Sequence, residues 1–186
     1  VLGDFLSDFT PEEVHTCVTG AYGGGKFDDE KIAPMAKLSP DTYMLELWHG
    51  PTCAFKDMAL QLLPRLLTTS MKKMGDSRDV NILVATSGDT GKAALGGFKD
   101  VPGTKILVVY PEEGVSKIQK LQMQTQEGAN VCICGVIGNF DDTQTGVKKI
   151  FTDPEMKARL ESKNSMFSSA NSINWGRLAP QIVYYI

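Results

Sequence analysis

One lysine stands where its amino group could act as a nucleophile or a base. Lys56 lies between Phe55 and Asp57, directly before a segment with helical periodicity. A lysine in such a place is partly desolvated, and a desolvated amine is a more reactive nucleophile. A solvated lysine at the start of a helix is the commoner arrangement, so position alone leaves both interpretations open.

A glycine-rich turn at positions 86–91 (TSGDTG) could bind an anion. Gly88 allows close approach of the backbone to a ligand, and the helix predicted after it offers free N–H groups. Ser87 and Thr90 add hydroxyl donors. An ordinary strand-to-helix turn, capped by Asp89 or Thr90, fits equally well. The turn lacks the glycine and lysine spacing of nucleotide-binding loops, which disfavours a nucleotide.

A third segment, at positions 171–177 (NSINWGR), combines small polar side chains with one arginine. Ser172 and Asn174 precede a predicted helix, and Arg177 follows within its first turn. Such a group suits a phosphate, because a helix N-terminus and a guanidinium both favour an anion. An N-capped helix with a surface arginine is the alternative interpretation.

Composition excludes several classes of function. The 186 residues are 42% hydrophobic and 22% charged, which is enough for a globular core and suits one domain or slightly more. With a net charge of −3 and no basic block, the chain gives no support to binding of nucleic acid or a membrane. No apolar run is long enough to cross a bilayer, and the first residues lack the charged and then apolar pattern of a leader, so neither a membrane span nor a leader is expected.

The cysteine pattern favours free thiols. The four cysteines form no CxxC pair and the chain has only two histidines, so no metal site is predicted. Cys132 and Cys134 alternate within an apolar run, so we expect both to face the same side of a strand and to be buried. Free thiols indicate a reducing, cytoplasmic location. Because the chain begins at Val1 and stops at Ile186 within an apolar run, we expect an internal piece of a longer protein.

The elements that must position these residues form an α/β pattern. Strand and helix patterns alternate four times, with strands predicted at 80–85, 105–110, 130–134 and 166–169. This alternation predicts a parallel sheet with helices on both faces, and ligands gather at the carboxyl ends of such strands. The segments 87–90 and 172–174 should therefore share one rim.

Further elements are predicted along the chain. A helix should open at Thr10–Pro11, a strand should occupy 42–47, and Pro64 should kink the next helix or mark its start. A capping box at 116–119 should open a helix that Gly128 ends. Helices are also predicted at 141–151, 154–162 and from 174 onward.

Together, the motifs closely resemble those of threonine synthases. Positions 49–57 (HGPTxAFKD) resemble the cofactor-lysine motif, and positions 86–91 resemble the substrate-carboxylate loop of that family. Similar matches, in the same order, occur at 110–123, at 138–144 (GNFDDxQ) and at 171–177. The resemblance covers most of the chain from about residue 40, and five motifs in register make it highly specific.

The resemblance implies a type II pyridoxal-phosphate fold, in which two α/β domains hold the cofactor, pyridoxal 5′-phosphate, between them. It implies that Lys56 carries the cofactor as an internal aldimine and later moves protons. It places Asp89 near the cofactor's ring hydroxyl, in a loop that binds the substrate carboxylate. The other residues of that loop are Ser87, Gly88 and Thr90. The substrate phosphate is assigned to Ser172, Asn174 and Arg177. His49 belongs to the lysine motif but receives no chemical role.

The implied enzyme is a carbon–oxygen lyase of threonine biosynthesis that converts O-phospho-L-homoserine and water to L-threonine and phosphate. On this basis we expect residues 1–78 to form part of a large domain, 79–170 a small substrate-binding domain, and 171–186 the return into the large domain. The cofactor-phosphate loop and the remainder of the large domain should lie outside the chain. This chain alone is therefore expected to be inactive.

Two alternatives stay open. One is a sister pyridoxal-phosphate lyase, such as a threonine dehydratase or a threonine-synthase-like phospho-lyase. A dehydratase has no substrate phosphate to bind, so the segment 171–177 argues against it. The other is an inactive binding or scaffold module, against which the retention of Lys56 and both anion-binding segments argues.

Overall fold

A computed structural model describes residues 1–186. It contains six strands: β1 (Met35–Ser39), β2 (Thr42–Leu45), β3 (Asp79–Ala85), β4 (Thr104–Pro111), β5 (Val131–Val136) and β6 (Ser165–Ser168). Its helices are α1 (Leu2–Phe5), α2 (Pro11–Tyr22), α3 (Asp57–Leu60), α4 (Leu63–Met74), α5 (Asp89–Phe98), α6 (Lys117–Gln124), α7 (Phe140–Thr152), α8 (Pro154–Glu161) and α9 (Trp175–Leu178). A 3₁₀ segment, Ala179–Tyr184, follows α9.

The four strands of the main sheet are all parallel, in the order β5-β4-β3-β6. The first two strands form a separate antiparallel hairpin. Since β3 and β6 are neighbours, the loops that follow them emerge side by side at the carboxyl rim. The α/β class and the parallel sheet predicted from the sequence are confirmed.

Side chains that alternate along β3 pack against helices on both faces of the sheet. Val80, Ile82 and Val84 point into a core that also contains Phe98 of α5 and Leu63 of α4. The opposite face lies against α7 and α8, which pack on the sheet. Helices therefore cover both faces, as predicted, because period-two strands bury both of their sides only between two helical layers.

A second, smaller core joins α2 to α4. Cys17, Ala21 and Leu66 are buried there. Thr10 and Glu13 form the reciprocal capping box that opens α2. The predicted helix start at this position is confirmed.

The short helix α3 lies directly against α5. A Cβ atom added at Gly97 would come within 1.9 Å of the backbone oxygen of Leu60, so only glycine permits this approach. The contact fixes the lysine-bearing segment against the helix that follows the loop at 86–91. The close packing of these two helices therefore sets the geometry of the candidate site.

Two features differ from the sequence predictions, and one open alternative is decided. Strand β1 was not predicted. Helix α4 begins at Leu63 with Pro64 in its first turn, so that proline marks the start of the helix, which was one of its two predicted roles. Helix α6 ends at Gln124, before Gly128. It ends early because the N–H of Gln126 bonds to the oxygen of Met123, which tightens the last turn, while the Gln126 side chain turns to another helix.

The predicted burial of Cys132 and Cys134 is wrong. Both thiols lie on the same side of β5, as alternation requires, but both are exposed, as is Cys53. The reason is that β5 is an edge strand, and α7 lies over β3 and β4 instead. Cys17 is buried. None of the helices is both long and apolar enough to cross a membrane.

Candidate active site

Lys56 stands at the N-cap position of α3 with its amino group turned into the fold. Its side chain is 17% exposed, and its Nζ lies 3.2 Å from Oδ2 of Asp89. The same nitrogen lies 4.3 Å from the centroid of the Phe55 ring. The alternative of a solvated lysine at a helix start is therefore wrong. An amine held between a carboxylate and an aromatic face is ordered and shielded from bulk water.

The turn that carries Lys56 is closed by a buried carboxylate. Asp57 accepts hydrogen bonds from the backbone N–H of Thr52 (2.8 Å) and from its hydroxyl (2.7 Å). Cys53, within the turn, has a left-handed backbone with φ of 56°. Burial raises the pKa of Asp57, although the donors of Thr52 act in the opposite direction. This carboxylate therefore stabilises the turn while bearing a desolvation cost.

Asp89 is held from two directions. Its Oδ2 faces Lys56, and its Oδ1 accepts a hydrogen bond from the side-chain amide of Gln119 on α6. The Gln119 amide oxygen in turn accepts from the hydroxyl of Ser116 at 3.0 Å. Because both carboxylate oxygens are engaged, the orientation of Asp89 is fixed before any ligand arrives. The sequence analysis treated Gln119 only as a capping residue and missed this contact.

The loop at 86–91 is organised by Thr86. Its hydroxyl oxygen accepts hydrogen bonds from the backbone N–H groups of Gly88 (3.0 Å) and Gly91 (2.9 Å). Gly88 is the N-cap residue of α5 with φ of 147°, a conformation that residues with a Cβ rarely adopt. The N-cap residue makes no side-chain cap, and the Thr86 hydroxyl takes its place by accepting from the N–H of Gly91 in the first turn of α5. The predicted alternative, a turn capped by Asp89 or Thr90, is therefore wrong.

Arg177 is buried, with 6% of its surface exposed. It donates hydrogen bonds to the backbone oxygen of Ala170 at 2.8 Å and to the hydroxyl of Thr90 at 3.5 Å. Its Nε has no partner. Burial lowers the pKa of Arg177. The alternative of a surface arginine is wrong, and the guanidinium keeps a free donor.

A cavity of about 260 Å³ opens beside this guanidinium. Its polar lining comes from both candidate loops, through Thr90, Ser172 and Arg177, and from α7, through Gln144 and Lys148. The lining contains two cations and no carboxylate, which suits an anion. A larger cavity of about 770 Å³ lies at the amino ends of the strands and contains none of the predicted site residues.

The remaining predicted residues have different surroundings. Asn174 is the N-cap of α9: its side chain accepts from the N–H of Gly176 (3.0 Å) and donates to the backbone oxygen of Ser169 (2.8 Å). Both ends of that amide are therefore engaged in holding the loop. Ser87 and Ser172 are exposed at the rim.

Comparison with known proteins finds similar sequences and similar structures. No protein-family model matches the chain. Threonine synthase from Pseudomonas aeruginosa is 44% identical over 161 residues, which cover 87% of this chain and 33% of that protein. Human threonine synthase-like 1 is 41% identical over 185 residues, covering 96% of this chain and 24% of the relative. The crystal structure of pyridoxal-phosphate-bound threonine synthase from Brucella melitensis superposes with a TM-score of 0.88 at 39% identity, over 100% of this chain and 38% of that one.

Over nearly all of its length, the chain is similar to part of the threonine synthases. It spans between 24% and 39% of the length of the curated relatives it matches. The four-stranded parallel sheet with flanking helices is the type II fold of threonine synthases, as the resemblance implied.

Two pairs of predicted residues come together in this chain. Lys56 meets Asp89, and Thr90 meets Arg177. The residues that the sequence analysis missed are the ones that orient the others, among them Gln119 and Thr52. Their signal in the sequence was weak, because a glutamine in a first helical turn and a threonine in a turn are ordinary residues there.

Proposed function

We propose that the protein to which this chain belongs is a pyridoxal-phosphate-dependent threonine synthase. It converts O-phospho-L-homoserine and water to L-threonine and phosphate. The observation that carries the proposal is the arrangement at the rim. The shielded amine of Lys56 pairs with Asp89, and the next residue, Thr90, contacts the buried guanidinium of Arg177.

The residues present fit the cofactor and a phosphorylated substrate. A primary amine in ordered surroundings is the group that binds an aldehyde, and Lys56 supplies it. Arg177 and Lys148 line a carboxylate-free cavity and offer donors to a phosphate. At Gly88 the side chain of Gln119 occupies the space that a Cβ would need, so glycine here permits the contact that orients Asp89. The Brucella relative is described as bound to pyridoxal phosphate, which supports the same cofactor here.

The chain's own residues divide the work. Lys56 would hold the cofactor covalently and, once released, would accept and return protons at its Nζ. Pyridoxal phosphate, when bound, withdraws electrons from the substrate's α carbon and so makes its proton acidic. Asp89, oriented by Gln119, would fix the amine, and Ser87 would help bind the substrate carboxylate. Arg177 and Ser172 would hold the phosphate and favour its departure as an anion, and Asn174 would support them by holding their loop.

Because the chain spans only part of its relatives' length, we propose that further large-domain residues are needed for activity. We propose that residues 1–78 form part of the large domain, residues 79–170 the small domain, and residues 171–186 the return into the large domain. The core residue Leu63 packs against the sheet of the second division, so the first two divisions share one core.

The test is site-specific labelling of the amine. The full chain is incubated with pyridoxal phosphate, reduced with borohydride and mapped by mass spectrometry. We expect the label on Lys56, and none at that peptide in Lys56→Ala. The matched control is Lys117→Ala, which alters an exposed lysine on α6 and should label normally. A label spread evenly over exposed lysines would contradict the proposal and favour a non-catalytic module.

A threonine-synthase-like phospho-lyase is the second candidate, favoured by the 41% identity to human threonine synthase-like 1. The two candidates differ in substrate. The protein tested is the one that includes the remaining large domain. Phosphate release should be measured with O-phospho-L-homoserine and with O-phosphothreonine. Deamination should be measured with threonine. If O-phosphohomoserine is the only substrate converted, and the product is threonine, the result supports the synthase. Turnover of O-phosphothreonine without threonine formation supports the phospho-lyase.

A further inference from the structure

His49, at the start of the lysine turn, is held at both ring nitrogens. Its Nδ1 lies 2.6 Å from Oδ1 of Asp28, and its Nε2 lies 2.8 Å from Oε2 of Glu46. The ring is stacked on Trp48, with 5.7 Å between centroids and 27° between planes. The imidazole is 14% exposed, so its position is defined by these neighbours.

Two carboxylate contacts require the charged form of the ring. A neutral imidazole has one N–H and one lone pair, and the lone pair would face a carboxylate oxygen. The imidazolium has two N–H groups and can donate to both. The titratable groups in contact with the ring are Asp28 and Glu46, and both are acidic. Hydrogen bonding to Glu46 and to Asp28 accordingly raises the pKa of His49.

The ring joins three segments of the chain. Asp28 belongs to the loop after α2, Glu46 follows β2, and His49 begins the turn that leads to Lys56. A backbone hydrogen bond joins two of these segments as well: the N–H of Asp28 donates to the backbone oxygen of His49 at 3.0 Å. The next residue, Gly50, packs so closely on Asp57 that an added Cβ would lie 2.6 Å from its Oδ2. A displacement of His49 is therefore transmitted directly to the turn.

We infer that His49 is a positioning residue for Lys56, acting as an imidazolium that bridges Asp28 and Glu46 and fixes the start of the lysine turn. It transfers no proton in the reaction. The inference rests on the proposed function, because it takes Lys56 as the reactive amine. It gives a role to the one residue of the lysine motif that the sequence left without one.

The first test reads the ring directly. The chain has only two histidines, so imidazole ¹⁵N spectra contain two sets of signals, and His15 is the internal reference. We expect the His49 ring to keep both protons at neutral pH and to lose one at a lower pH in Glu46→Gln. Asp28→Asn, at a carboxylate that is 77% exposed, should act in the same direction without affecting folding. A neutral His49 ring at pH 7 in the wild type would overturn the inference.

The second test reads the effect on Lys56. In the labelling experiment, His49→Gln should slow modification of Lys56 about tenfold or more, since small displacements of a reacting group have effects of this size. In the wild type the rate should fall over the pH range in which His49 loses its proton, and this fall should be absent from His49→Gln. A merely structural role would not produce that pH profile.

The outcomes separate the two claims. A wild type in which Lys56 takes no label at any pH contradicts the proposed function. A wild type that labels, with Asp28→Asn, Glu46→Gln and His49→Gln labelling at the same rate and with the same pH profile, contradicts the role of His49 alone. Circular dichroism before labelling identifies any variant that is unfolded. If His49→Gln or Glu46→Gln is unfolded, the labelling rate and pH profile of Asp28→Asn decide whether His49 positions Lys56.

Discussion

Thr52 donates two hydrogen bonds to Asp57, one from its backbone and one from its side chain, and both residues are buried. The five-residue closure holds Lys56 immediately before the carboxylate that stabilises the turn. A group that must move protons is thereby placed on a rigid support, and the end of its side chain is held separately by Asp89. The arrangement resembles the support that an active-site residue needs for a defined geometry.

Replacing Asp57 should weaken the whole fold. In Asp57→Asn one oxygen becomes an NH₂ group that faces a donor, so a buried hydrogen bond is lost and a polar group is left unsatisfied. We expect a loss of about 1–3 kcal/mol in the free energy of unfolding, measured by urea denaturation. Asp8→Asn, at an exposed carboxylate, is the control and should change stability by less than about 0.5 kcal/mol. Equal midpoints for the two variants would show that the closure contributes nothing.

Two glycine-to-alanine variants should have opposite effects. Gly97→Ala places a methyl group 1.9 Å from the backbone oxygen of Leu60, which forces α3 and α5 apart. We expect a destabilisation of about 1–3 kcal/mol, the usual range for overpacking. Gly146→Ala, in α7, meets no atom within 4 Å and should stabilise the chain by about 0.5–1 kcal/mol, because alanine is the better helix former. Thermal melts of the pair test both signs, and a stabilising Gly97→Ala would contradict the packing of α3 on α5.

Thiol titration should distinguish the exposed cysteines from the buried one. We expect Cys53, Cys132 and Cys134 to react rapidly with Ellman's reagent in the native chain, and Cys17 to react only after unfolding. The double variant Cys132→Ser/Cys134→Ser should retain one rapid thiol. A native wild type with a single rapid thiol would instead support the burial expected from the sequence pattern.

Stability should depend on pH through His49. Its folded-state pKa is raised above the value of 6.5 that it has when unfolded, so protonation favours the folded state. The contribution is fully present below pH 6.5 and is lost as the pH rises through the raised pKa. Urea midpoints of the wild type should fall over this range, while those of His49→Gln should lack this component. An identical pH dependence in both proteins would contradict the coupling.

Much of the fold could be predicted from local patterns. The strands of the main sheet and the helices between them follow from period-two and period-3.6 alternation, and the segment Thr10–Pro11 marks the start of α2 correctly. The hairpin strand β1 was not predicted, because its five residues are mostly exposed and have no alternating burial pattern. The burial of Cys132 was mispredicted because alternation tells which residues share a face, but does not tell whether a helix covers it.

The candidate site shows the same division. The order of the motifs identified Lys56 and Arg177. No local pattern shows that Lys56 pairs with Asp89, which lies 33 positions later, or that Arg177 donates to Thr90. Those contacts depend on which strands are neighbours and on the close approach of α3 to α5. The partners of His49 are likewise 21 and 3 positions away, on segments with no regular structure. Tertiary packing, which single-sequence periodicity does not encode, decides all of them.

The burial of Arg177 has an energetic consequence for ligand recognition. Folding strips most of the water from a guanidinium whose Nε then receives no protein acceptor. The desolvation penalty is incurred during folding, so an arriving anion meets a dehydrated and already oriented donor. An anion in the cavity that Arg177 lines would offset part of this cost. Affinity at the rim and stability of the unliganded fold are therefore opposed at this one side chain.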